Sequence, residues 1–123
     1  MKFLCLCHYE TARFAACTPE DFEEVGRICK PRDEALHASG HLVAVGSFVD
    51  SAQYAVIRAT EEGPAVSRGP YAQTQEPFGA FFIVEADTIE KAIEIASLHP
   101  GAHLARQFGG GIEVRPCETY AES

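Results

Sequence analysis

No run of apolar residues in this 123-residue chain approaches the roughly 18 needed to span a membrane as a helix, so no membrane partner is expected. Basic residues are also scarce. Ten Lys and Arg stand against 18 Asp and Glu, a formal net charge of -8, and the ten are scattered along the chain. Without a basic stripe nothing neutralises a phosphate backbone, so nucleic acid is not an expected partner. The opening segment MKFLCLCHYE carries one Lys, and its apolar run meets His8 and Glu10 before reaching signal-peptide length. The expectation is a cytoplasmic protein. Paired CxxC spacing is missing as well. Five cysteines (Cys5, Cys7, Cys17, Cys29 and Cys117), an odd number, read as reduced thiols rather than a disulfide framework. In a strand, side chains alternate, so His8 points away from the face that carries Cys5 and Cys7. Neither a metal nor any other cofactor is expected.

What is present is an ordinary globular composition, 46% hydrophobic and 23% charged, with enough length for one domain over residues 1–123 and a core that needs no staples. Residues 2–9 (KFLCLCHY) predict a strand buried on both faces. Thr18-Pro19-Glu20-Asp21 supplies a capping hydroxyl, a proline suited to the first helical position and acids for the positive end of the helix dipole. The apolar spacing then predicts a helix over 19–39, closed by Gly40, with a kink or break near Pro31. Residues 41–49 and 53–60 are β-rich, and Glu62-Gly63 predicts a turn into a short hairpin arm at 64–67. Residues 79–86 (GAFFIVEA) form a fourth predicted strand. Asp87 is read as the cap of a second helix, with Ile89, Ala92, Ile93 and Ala96 as its apolar stripe and Pro100-Gly101 as its stop. A fifth strand falls on Ile112 to Arg115.

The order strand, helix, strand, strand, helix, strand predicts an α+β domain of ferredoxin-like βαββαβ topology, an antiparallel sheet with two helices on one face. In the fourth strand Phe81 and Ile83 project to one side, Phe82 and Val84 to the other. Two helices cover a single face. The second apolar set therefore needs another cover, and a face-to-face homodimer is the economical choice.

Three stretches carry a family resemblance. Arg68-Gly69-Pro70-Tyr71-Ala72-Gln73-Thr74-Gln75-Glu76 resembles the DGPFAETKE motif of the YCII-related, or DGPF, family. Gly79-Ala80-Phe81-Phe82 with Glu85-Ala86 is similar to its GGFFLIEA segment, and Gly110 to Pro116 to its terminal GGxVEVRP. The resemblance implies a dimeric α/β barrel, related to muconolactone isomerase-like enzymes, with a cleft between sheet and helices. One branch of the wider family holds a dehydrochlorinase with a His and Asp pair, its His within the first helix. Here that helix has Cys29 and Asp33 at its centre and no His until His37, and Arg68 replaces the motif's leading Asp.

The candidates for proton transfer are His8, on the first strand, and the pair Asp33 and His37, four apart on one helix face. His99 and His103 mimic an HxxxH metal pair, yet Pro100-Gly101 breaks the helix that would align them. Arg68 is a candidate anion clamp, Tyr71 an aromatic wall, and Arg115 a second anion contact or the partner of Glu113. Two functions follow: a homodimer whose cleft binds a small molecule without acting on it, or a lyase or isomerase that uses a His base on a small cyclic or aromatic acid.

Overall fold

β1 (Lys2–His8) becomes the centre of a sheet because it finds antiparallel partners on both edges, β5 (Phe78–Glu85) and β6 (Gly111–Pro116), with β2 (Leu42–Ser47) outside β5. The computed structural model describes residues 1–123. The sheet order β2-β5-β1-β6 is that of a ferredoxin-like domain, so the α+β class and the antiparallel sheet hold.

Register decides which side chains meet. Cys5 lies opposite Phe82 on one side and Val114 on the other, and Phe3 opposite Val84. These residues face the helices. Phe3, Cys5, Phe82 and Val84 are fully buried there, against Leu36 of α2 (Pro19–Ala38) and Ala92, Ile95 and Ala96 of α3 (Ile89–Ala96). The opposite face carries Leu4, Leu6, Phe81 and Ile83, with no helix over it. Phe81 lies across Gly46 of β2 and under the stacked ring of Phe48, 5.7 Å between centroids.

Several expectations are corrected. Residues 53–60 are not a sheet strand: β3 (Ala55–Thr60) pairs only with β4 (Gly63–Arg68), forming a separate two-stranded arm. The turn of the arm is Glu61-Glu62, and Gly63, at φ 110°, already pairs with Thr60. The helix α2 runs through Pro31 without a break. Proline removes one donor there, but the carbonyl it orphans belongs to Arg27, an exposed residue, so water can satisfy it. The cap of α3 is Thr88, whose hydroxyl accepts from the Lys91 N–H at 3.1 Å, not Asp87. Its core stripe includes Ile95, while Ile93 is half exposed. A short helix, α1 (Thr11–Ala15), had no signal in the chain's periodicity.

The start of α2 follows its sequence closely. Thr18 accepts from the Asp21 N–H at 3.2 Å and Asp21 from the Thr18 N–H at 2.9 Å, a reciprocal cap with Pro19 in the first turn. That backbone donor, with Arg106 beside it, holds the Asp21 carboxyl below the usual range. Gly40 closes the helix at φ 77°. Before β6, Gly110 has φ 69°, and a Cβ there would sit 2.0 Å from the His8 carbonyl oxygen. Only glycine lets the chain pass that close to β1.

Candidate functional site

Helix α2 is twenty residues long, yet Leu36 is its only buried residue. Its last turns are fixed to the sheet and its middle stands off. Between that middle and the ends of β1 and β5 lies a cleft of about 350 Å³. Cys29 and Asp33 enter it from α2, Cys7 from β1, and His99 from the 3₁₀ turn Pro100–Ala102 that follows α3. Phe14 and Phe108 close one wall. Their rings are 5.3 Å apart and belong to a cluster that includes Tyr9 and Phe22. No lysine or arginine lines the cleft, so Asp33 is its one fully charged group.

His99 is held tightly. Its ring stacks on Phe82 at 4.5 Å and 0°, and its Nδ1 accepts from the Gly101 N–H at 2.9 Å. The signals once read as a helix stop explain this: proline starts the 3₁₀ turn, and the turn aims the Gly101 N–H back at the imidazole. Burial lowers the His99 pKa, while the negative charge of Asp33 opposes that fall. Cys7 Sγ lies 3.8 Å from Nδ1 and 3.9 Å from Nε2. The pair has the composition of a Cys–His nucleophile, but burial pushes the thiol up to about 12. Both shifts favour neutral partners over a thiolate and an imidazolium, so Cys7 is not an activated nucleophile. Burial also raises Cys29, with the Asp33 charge adding to it.

Of the other candidates only His8 reaches this cleft. His37 is exposed in the last turn of α2, and no ion pair or hydrogen bond joins it to Asp33. His8 is half buried. Its Nδ1 donates to the Glu76 carbonyl at 2.8 Å and its ring meets Phe78 edge-on. Besides the first cleft it borders a second of about 710 Å³ beneath the arm, walled by Phe48, Tyr54 and Tyr71. Tyr71 is pinned to the arm by Arg58, which stacks over its ring at 4.1 Å and donates to its carbonyl at 3.0 Å. Arg68 is the last residue of β4 and lines neither cleft, and Gly69, at φ 102°, donates to the Tyr54 carbonyl at 2.8 Å. The loop thus closes the base of the arm. Arg115 pairs with Glu113 of its own strand and also stands outside both clefts. Of the acid–base candidates, Asp33 and His8 both line the first cleft, where His99 joins them, and His37 does not.

The family model for the YCII-related domain matches residues 1–117, and the chain belongs to that family. It is 25% identical over 120 residues to an uncharacterized protein of Rhizobium meliloti (strain 1021), an alignment that covers 98% of this chain and 94% of the relative. No helix is long and apolar enough to cross a membrane.

The burial of His99 has a signed consequence for stability. Its pKa is lowered in the folded chain, so as pH falls below the usual imidazole value of about 6.5 the unfolded chain takes up a proton that the folded chain refuses. Stability contributed by the neutral ring is complete above that value and is lost below it. Urea midpoints measured between about pH 7 and pH 5 should fall more steeply for the native chain than for His99→Gln. Parallel curves would contradict the assignment.

Proposed function

We propose that the protein is a homodimer that binds a small, uncharged ring compound in the cleft between α2 and the sheet, and moves a proton on it with Asp33 and His99. The observation that carries this reading is the convergence of that carboxylate and that imidazole, from different elements, on a cleft with an aromatic wall. Phe14 and Phe108 suit a flat ligand. An acid is a poorer fit than a neutral compound, since its carboxylate would find Asp33 and no cation. Proton transfer places the chain on the isomerase or lyase side of its two readings. Binding without chemistry is the other, and it is favoured by the open cleft under the arm, where His8 has no carboxylate partner.

The homodimer is supported by the face that no helix covers. Leu4, Phe81 and Ile83 are only half buried there, and an apolar sheet face of this kind is what a symmetric copy can bury on both sides at once. The cytoplasmic compartment is supported by five free cysteines, none of them paired.

Two measurements check these statements. In heteronuclear NMR with a panel of uncharged lactones and cyclic ketones, shifts should concentrate at Asp33, His99, Phe14 and Phe108 and weaken in Phe108→Ala, which removes half of the aromatic wall; a panel that perturbs only residues of the arm would overturn the choice of cleft. Sedimentation velocity at micromolar concentration should give a dimer. A monomer throughout would sink that part.

A further inference from the structure

A backbone N–H can only donate, so the contact from Gly101 fixes the protonation of the imidazole it meets. At 2.9 Å, the Nδ1 of His99 must be bare, and the single proton of the neutral ring sits on Nε2. A second proton at Nδ1 would set N–H against N–H and break the bond. Stacking on Phe82 holds the ring in plane and resists the half-turn that would put Cδ2 in the place of Nδ1. The Nε2 proton has no oxygen acceptor within the chain; its nearest polar neighbour is the Cys7 sulfur at 3.9 Å, beyond a useful hydrogen bond for a neutral thiol. The titratable groups that line the cleft with it are Cys7 and His8 from β1, Tyr9 just after it, and Cys29 and Asp33 from α2. Of these only Asp33 is a carboxylate.

We infer that His99 is a hydrogen-bond donor and not a base: its Nε2–H binds a carbonyl oxygen of the ligand, and Asp33 is the group that takes and returns the proton. This rests on the reading of the cleft as a proton-transfer site and names its substrate class, a neutral cyclic carbonyl compound with an acidic C–H beside the carbonyl. The step balances without a co-reactant. The Asp33 carboxylate takes the proton from carbon, the C–H electron pair becomes the new C=C bond, and the carbonyl π pair moves to oxygen. The enolate oxygen so formed accepts from His99 Nε2–H. Protonated Asp33 then returns the proton to the same carbon or to a conjugated one, which gives exchange or isomerisation. A neutral imidazole suits this task, because a preformed donor in a sheltered site stabilises charge that appears only as the reaction proceeds.

The test uses the full chain, with α-angelica lactone, a neutral unsaturated lactone, as the probe. Nitrogen-15 NMR of the free protein reads the tautomer by itself: the proposal requires a protonated Nε2 and a bare Nδ1 for His99 at neutral pH, and the reverse tautomer overturns it whether or not the cleft binds anything. With the lactone present in deuterated water, incorporation of deuterium beside the carbonyl should fall roughly 100-fold in His99→Ala. His99→Gln, which keeps an N–H donor but cannot serve as a base, should retain most of the rate, and Asp33→Asn should lose at least as much as His99→Ala. Equal loss in His99→Gln and His99→Ala overturns the donor role. A correct tautomer with no binding and no exchange overturns the proton-transfer reading of the cleft, and with it the carbonyl ligand, while leaving the ring's protonation established.

Discussion

A long helix fastened at one end is the constraint from which the site follows. Leu36 drops into the core among Phe3, Phe82 and Val84, and burying such a side chain contributes about 2 to 3 kcal/mol. Nothing else on α2 is buried. Toward its other end the helix rests on rings, with Phe22 meeting Phe14 and Phe108, and Asp21 and Glu24 meeting Arg106. These exposed ion pairs add little. The middle of the helix is therefore left over an opening, and Cys29 and Asp33 are the residues that happen to face it. A helix packed along its whole length would have a larger core and no cleft.

The chemistry of the opening comes from the partial burial of its inner side. Burial favours the neutral form of two thiols and an imidazole, the Cys7 thiol pushed up to about 12 and the imidazole below its ordinary value, while Asp33 brings a carboxylate to the exposed edge. A neutral donor and a carboxylate in one cleft are the arrangement proton transfer at carbon calls for. It also disposes of the nucleophile that Cys7 and His99 resemble on paper.

The strands of the sheet were legible because their signals are local. Alternation separated Phe82 and Val84 from Phe81 and Ile83, and the two sets do lie on the core face and the uncovered face. Thr18, Pro19 and Asp21 announced a helix start that needs only its own neighbours. The arm was not legible: residues 55–60 have the β propensity of a sheet strand, and whether they join the sheet or pair with 63–68 depends on contacts that no short window contains. The site was half legible. Asp33 stands out as a carboxylate on a helix face, but its partner is 66 residues away in sequence, on a turn read only as the end of α3. Pro100 and Gly101 read as breakers, and they do follow the end of the helix. What that reading missed is that a 3₁₀ turn of this kind also points a backbone donor at the residue before it. A His followed by Pro-Gly, just past a helix, was the signal available.

The central claim is that Asp33 and His99 act on one another across the cleft. The direct measurement is the pKa of His99, followed by NMR in the native chain and in Asp33→Asn. Removing the carboxylate charge that now opposes the effect of burial should lower the pKa of His99 further. An unchanged pKa would mean that the two groups do not share a site, and the account built on them would fail.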